Sequence, residues 1–314
     1  MAELRQSVIT SFTRLSETLC TLKLSPGNGA RFPLYEAGQH IALRRDDCLL
    51  TKRVTDALGK PQYVYDLDAH GRPKRGSVTH SYSIASAPFE TVRDGHLEFY
   101  IVLERGPDGV HGRFTQALFQ LDPALGDQVG YHDRIVGDFT LDRRAHGFRD
   151  VVMVGTGTGV AAFVSMIKQL DHGAALGQDA PARYTLFYAN RTRAELAYHE
   201  ELQAIADARR IDLLYVPSIS RPAPADEKDK TIGRGRANNL LRHALALPLG
   251  EAAVAPLLPQ QVSADAVRER LQPGRSVVLT CGNASSMADI QAIAEQSRVQ
   301  YEKEDWAPAP AARS

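Results

Sequence analysis

Val151-Val152-Met153-Val154-Gly155-Thr156-Gly157-Thr158-Gly159-Val160 lies near the middle of a 314-residue chain, and the architecture turns on it. The apolar run Val151 to Val154 shows no polar alternation, as expected of a strand buried on both faces. A turn of glycines and threonines follows, and then apolar residues at helical spacing from Val160 to Leu170. Downstream, Tyr184 to Tyr188, Ile211 to Val216 and Val277 to Leu279 read as strands. Arg193 to Ala208 and Met287 to Gln296 read as helices. This alternation predicts an α/β doubly wound parallel sheet with right-handed crossovers.

Upstream the periodicity changes. Ser7 to Leu24, Gln39 to Leu43, His80 to Ser86 and Leu97 to Leu103 interleave apolar and polar residues as half-buried strands do. Breaks at Pro26-Gly27-Asn28-Gly29, Gly71-Arg72-Pro73 and Pro107-Asp108-Gly109 separate them. Phe114 to Phe119 predicts one short helix. An antiparallel β-barrel with a helix fits this half. The expected organisation is a barrel domain over 1–146, an α/β domain over 147–306 and a disordered tail over 307–314, whose sequence APAPAARS offers no core-forming group.

Lysine plus arginine and aspartate plus glutamate both number 37, so the chain is formally neutral. A nucleic-acid binder needs a net basic surface to displace counterions, and none is expected here. Cys20, Cys48 and Cys281 are far apart and form no CxxC pair, which argues against a disulfide framework, a zinc ribbon or a thiolate-held cluster. The histidines lack ligand-like spacing, so no metal site is expected. No apolar run of about 18 residues is present to cross a bilayer, and the charged start lacks a signal-peptide core. A cytoplasmic, membrane-free protein is expected.

Three motifs carry chemistry, each with a plain structural alternative. Gly155-Thr156-Gly157-Thr158-Gly159 lets backbone approach a pyrophosphate at a helix N-terminus, or simply makes a tight strand–helix turn. Its spacing and mid-chain position differ from those of a conventional Rossmann dehydrogenase. His80-Ser81-Tyr82-Ser83 on a barrel strand offers a ring to lie on a flavin and a hydroxyl beside it, or is an ordinary strand. Cys281-Gly282-Asn283 follows an apolar strand at the end where open α/β sheets bind ligands, or holds a small buried residue. Trp306, the single tryptophan, either anchors packing or covers a ring.

Taken in order, these segments resemble the ferredoxin–NADP reductase family of flavoproteins over nearly the whole ordered chain. The family's Arg-x-Tyr-Ser motif is approximated by His80-Ser81-Tyr82-Ser83. Its second flavin segment resembles Phe99-Tyr100-Ile101-Val102 followed by Gly112-Arg113-Phe114-Thr115. Gly-Thr-Gly-Thr-Gly is present as written, Cys281-Gly282-Asn283 resembles the Cys-Gly-Asn/Asp segment, and Glu304 and Trp306 match the late acidic and aromatic residues, with Glu302 as an alternative to Glu304. The departures are His80 for arginine, which Arg113 could offset, Ala162 for proline, residues following Trp306, and a long segment between Arg44 and Thr79.

The resemblance implies hydride transfer between NADP(H) and FAD, coupled to one-electron exchange with a separate ferredoxin or flavodoxin, in a monomer or weak dimer. Ser83, Cys281, Glu304 and Trp306 would be the catalytic residues. His80, Ser81, Tyr82, Tyr100, Ile101, Val102, Gly112, Arg113, Phe114 and Thr115 would hold the flavin. Gly157, Thr158, Asn190, Arg191, Ser220, Arg221, Arg234, Gly282 and Asn283 would hold the nucleotide, the arginines matching a 2′-phosphate. Between Arg44 and Arg75 eight basic residues face five aspartates, a net of +3 that either steers an acidic carrier or is a solvated loop. The rival readings are the reductase component of an oxygenase, a flavin or quinone reductase, and a non-catalytic nucleotide-binding module.

Overall fold

The computed structural model describes residues 3–56, 59–106, 108–250 and 254–304. Its first part contains β1 (Leu4–Ser16), β2 (Leu19–Pro26), β3 (His40–Leu49), β4 (Thr51–Thr55), β5 (Pro61–Tyr65), β6 (Arg75–Ser83), α1 (Pro88–Asp94), β7 (Leu97–Val102), α2 (Arg113–Phe119), β8 (Gln128–Val136) and α3 (Leu141–Arg144). Six of these strands form one antiparallel sheet in the order β6-β3-β8-β1-β2-β7. Just past β6, the Ala85 amide donates to the Glu98 carbonyl in β7 at 2.8 Å, which curls the two edges together.

Period-two alternation then divides labour along each strand. In β7, Leu97, Phe99 and Ile101 enter the barrel core with Leu22, Leu24, Ile41 and Leu43. Tyr100 faces the other way and joins the core of the second part. Phe114, Leu118 and Phe119 of α2 plug the barrel. The long Arg44–Thr79 segment resolves into an extension of β3 and β6, paired as far as Leu49 and Arg75, and a separate β4–β5 hairpin.

The second part runs β9 (Asp150–Thr156), α4 (Val160–Ala175), β10 (Arg183–Asn190), α5 (His199–Ala208), β11 (Leu213–Ile219), β12 (Gly233–Arg234), α6 (Ala237–Ala244), α7 (Ala264–Glu269), β13 (Ser276–Cys281), α8 (Ala284–Gln296) and β14 (Gln300–Lys303). The strands form a parallel sheet in the order β12-β11-β10-β9-β13-β14. Val151 and Met153 pack on one face with α4, while Val152 and Val154 pack on the other with α6 and α8. The chain departs from β9 toward β10 on one side and reaches β13 on the other, so a crevice opens at the carboxyl ends of β9 and β13.

The helix expected over Arg193 to Ala208 is interrupted. A 3-10 turn occupies Arg193–Glu195 and α5 begins only at His199, because Glu195 is drawn into a buried polar network described below. Contacts between α1 and α4 tie the two parts. Lys168 Nζ lies 2.6 Å from Glu90 and 3.2 Å from Glu201, Ser165 donates to the Ser86 carbonyl at 2.8 Å, and the Phe89 and His172 rings stack at 3.9 Å.

Candidate active site

A cleft of about 740 Å³ separates the barrel from the carboxyl edge of the parallel sheet. That volume lies in the range of small-molecule sites. The barrel contributes His80, Ser81, Tyr82 and Ser83 from β6, Tyr100 and Val102 from β7, and Thr115 from the first turn of α2. The sheet contributes Gly157 and Thr158, Asn190 and Arg191, Ser220, and Gly282 with Asn283. Thus strands more than 100 residues apart deliver the expected motifs to one space.

At the junction, Ser83 Oγ donates to both Glu304 oxygens, at 3.1 and 3.2 Å, and Cys281 Sγ donates to Glu304 Oε2 at 2.6 Å. All three residues are buried. Register explains the meeting. Cys281 sits opposite Gly155, β14 pairs alongside β13, and the Glu304 amide donates to the Thr280 carbonyl at 3.0 Å. Burial pushes the Glu304 carboxyl up to about 7, partly opposed by the hydrogen bonds from Cys281 and Ser83. Burial, with the neighbouring carboxylate, raises the Cys281 thiol well above its usual range, so it is a donor and not a thiolate. Glu302 points elsewhere, pairing with Arg144 at 2.9 Å. Trp306 and the tail over 307–314 lie outside the described residues.

Tyr82 is the chief feature of the barrel wall. Its ring packs at 5.6 Å from Phe114 and 5.1 Å from His80, yet its hydroxyl is buried without a hydrogen-bond partner. An orphaned buried hydroxyl at the edge of a cleft is where a ligand's polar group fits. His80 is exposed, with Nδ1 3.0 Å from the Ser81 carbonyl. Thr115 is buried and hydrogen-bonds the Gly112 carbonyl at 3.2 Å, closing the start of α2.

The glycine turn has two functions, divided among its residues. A Cβ on Gly159 would fall 2.3 Å from the Cys281 carbonyl oxygen, so this glycine permits the two loops to interlock. The Asn283 amide completes the lock by donating to Thr156 Oγ1 at 3.2 Å. Gly157, by contrast, has φ +57 and open space where a Cβ would be, leaving room for a ligand at the head of α4.

Not every expected residue reaches the cleft. Ile101 and Phe114 are barrel core. Gly112 and Arg113 stand at the start of α2 without lining the space, and Arg221 and Arg234 flank the nucleotide side in the same way. Tyr100 and Asn190 do line it but spend their polar groups on the junction. Asn190 Nδ2 donates to Tyr100 Oη at 2.6 Å and to the Glu195 carbonyl at 2.8 Å. Glu104, Ser286 and Arg236 also line the cleft and were not singled out in the sequence. Arg236 had a signal, its place two residues beyond Arg234 in the same glycine-rich run.

This arrangement defines a two-domain oxidoreductase with a nicotinamide-nucleotide crevice. The family described as "Oxidoreductase NAD-binding domain" matches residues 153–292. Methane monooxygenase component C of Methylosinus trichosporium is 29% identical over 189 residues, 60% of this chain and 48% of that protein. Ferredoxin--NADP reductase A of Sorangium cellulosum (strain So ce56) is 27% identical over 230 residues, 69% of this chain and 66% of that one. The chain thus spans 48% and 66% of the length of these two curated relatives. The structure of a ferredoxin NADP+ reductase from Neisseria gonorrhoeae with bound FAD and NADP superposes with TM-score 0.57 over 97% of this chain and 99% of that one, at 19% identity. The chain thus carries an oxidoreductase NAD-binding domain over residues 153–292 and is similar to ferredoxin–NADP reductases in sequence and in fold.

Proposed function

We propose that this chain is an FAD-dependent reductase that oxidises NADPH and hands single electrons to a separate protein carrier. The observation that supports it most is that Tyr82 and Ser83 from the barrel and Cys281 from the sheet line one cleft, with Glu304 buried behind Ser83 and Cys281. A bound flavin would supply hydride acceptance and one-electron release; the protein supplies orientation and electrostatics. The orphaned Tyr82 hydroxyl and the open space at Gly157 fit a dinucleotide on each side.

In this reading the Tyr82 ring supports the flavin and Ser83 presents a hydroxyl to its reactive edge. Cys281 and Glu304 floor the nicotinamide pocket. With its carboxyl near 7, Glu304 exchanges a proton readily at neutral pH and holds it between Ser83 and Cys281. Close, fixed approach of the two rings is the main catalytic contribution. Thr115 and the start of α2 fix one end of the flavin, and the glycine turn with Ser220 and the rim arginines fixes the nucleotide.

The carrier is a ferredoxin or flavodoxin, or an oxygenase component, as the likeness to methane monooxygenase component C suggests. In the Arg44–Arg75 stretch, Arg44, Arg45, Lys52, Arg72 and Lys74 pair with Asp46, Asp47, Asp66 and Asp68, which orders the loop while its net charge of +3 stays available to steer an acidic carrier. Among the described residues no helix is long and apolar enough to cross a membrane.

The test is a spectrum of the purified protein followed by anaerobic NADPH titration. Absorption near ~450 nm, bleached by NADPH, is expected of a bound flavin. Failure to retain or take up FAD overturns the proposal. Cytochrome reduction that requires added ferredoxin, compared with an oxygenase component, then separates the carriers.

A further inference from the structure

Tyr100 belongs to the barrel by sequence and to the parallel sheet by contact. Alternation along β7 turns Phe99 and Ile101 into the barrel and Tyr100 out of it, onto the second core. Its hydroxyl donates to the Glu195 carbonyl and accepts Asn190 Nδ2 at 2.6 Å. Its ring meets Tyr198 edge-on at 5.5 Å. Tyr188, on β10, brings a second hydroxyl to 3.3 Å from both Tyr100 Oη and the Glu195 carbonyl.

The socket that takes this hydroxyl is closed on itself. Asn190 Nδ2 also donates to the Glu195 carbonyl at 2.8 Å, and Asn190 Oδ1 accepts the Arg191 amide at 3.0 Å. That amide lies 3.2 Å from Glu195 Oε2 as well. Both polar atoms of the Asn190 side chain are thus engaged within the junction. A second grip lies beside the first. Arg191 Nη2 donates to Thr18 Oγ1 at 3.2 Å, and the Thr18 carbonyl accepts the Leu103 amide, just past β7, at 2.7 Å. Tyr100 and Val102 line one wall of the cleft, Asn190 and Arg191 the other, so these bonds join the two walls.

We propose that Tyr100 is a positioning residue: its hydroxyl, seated between the Asn190 amide and the Glu195 carbonyl, fixes how far the barrel and the sheet stand apart and so how closely the two rings in the cleft approach. This rests on the reading that the cleft takes a flavin and a nicotinamide. A shift of about 1 Å between reacting groups costs about 100-fold in rate, so a single bond that sets the separation matters beyond its own strength.

The test uses two variants of the FAD-loaded protein. Tyr100→Phe keeps the ring against Tyr198 and removes the hydroxyl. Tyr188→Phe removes a neighbouring hydroxyl from within the sheet and leaves the Tyr100–Glu195 bond in place. Spin labels on Leu34→Cys and Leu176→Cys, exposed residues of the barrel part and the sheet part, report the separation by pulsed electron paramagnetic resonance; Cys20, Cys48 and Cys281 are buried. The distance distribution should broaden or lengthen in Tyr100→Phe and stay as in wild type in Tyr188→Phe. Flavin reduction at saturating NADPH, followed by anaerobic stopped flow, should slow by about 10- to 100-fold in Tyr100→Phe alone, with little change in the NADPH concentration at half saturation. Wild-type distances in Tyr100→Phe, or altered distances with a wild-type reduction rate, overturn the proposal. Where Tyr100→Phe does not fold, Asn190→Ala, which leaves β7 untouched, takes its place, and wild-type distances in that variant overturn it equally. A wild-type protein whose flavin NADPH does not reduce overturns the reading of the cleft instead, and the label distances then decide the role of Tyr100 by themselves.

Discussion

The Cys281 thiol lies 2.6 Å from Glu304 Oε2, and the same carboxylate accepts Ser83 Oγ from the other domain at 3.1 Å. One buried carboxylate therefore bridges barrel strand β6, which carries Tyr82 and Ser83, and sheet strand β13, which ends at Cys281. Its protonation state is felt on both sides.

Glu304 should leave a mark on stability against pH. Its carboxyl is raised from 4.5 to about 7 by burial. The folded protein then holds this proton longer than the unfolded chain, so the contribution is complete below about pH 4.5 and declines as pH rises through 7. The loss is at most about 3 kcal/mol. Glu304→Gln has nothing to titrate, so the wild-type Tm should drop relative to the variant's between pH 4.5 and 7.5. Parallel Tm curves would contradict the assignment.

Tyr82→Phe should act in opposite directions with and without ligand. Removing a buried, unpartnered hydroxyl should stabilise the flavin-free protein, by up to about 1–3 kcal/mol. The same change should weaken FAD by about tenfold if the hydroxyl finds its partner there. Thermal unfolding of flavin-free protein and a fluorescence titration with FAD check the two halves. A variant that binds FAD as well as wild type would show that the hydroxyl does not touch it.

The two glycines of the turn should separate stability from binding. Gly159→Ala meets backbone at 2.3 Å and should destabilise by several kcal/mol or prevent folding. Gly157→Ala meets nothing and should cost only about 1–2 kcal/mol for the left-handed conformation, while its methyl enters the cleft and weakens nucleotide binding. Equal Tm losses in the two variants would refute this division.

Lys168→Met should loosen the tie between the domains. Lys168 is 5% exposed among Glu90, Glu201 and Glu98; burial pulls its pKa down, but the carboxylates outweigh it and the net shift is upward. Removing the ammonium leaves the half-buried Glu90 carboxylate without its cation, while the exposed Glu201 stays solvated, at a cost of about 1–3 kcal/mol. Denaturant unfolding measures it, and the double variant Lys168→Met/Glu90→Gln should recover part of the loss.

Most of the architecture could be read where burial is two-sided or strictly alternating. Val151 to Val154 became β9, and the alternation of Leu97 to Leu103 became β7. β14 was illegible because Gln-Tyr-Glu-Lys carries no apolar pattern; it is a strand only because the edge of β13 accepts it. The break before α5 was hidden for a similar reason, since Glu195 leaves the helical path and its carbonyl accepts from Tyr100, a residue of the other sheet. The family resemblance named Ser83, Cys281 and Glu304, with Glu302 as an alternative; the structure brings Glu304 to Ser83 and Cys281 while Glu302 pairs with Arg144. Nothing local told Arg236 from Arg234; the turn at Gly235, with φ +108, takes Arg236 off the strand and into the cleft lining while Arg234 stays in β12.

The interlock of Gly159, Thr156, Gly282 and Asn283 has a further consequence. A Cβ on Gly282 would lie 2.2 Å from Thr156 Oγ1, so neither loop can shift without the other. The two loops therefore move as one block, and on the proposed reading a change of ligand preference would have to come from the residues around this block and not from within it.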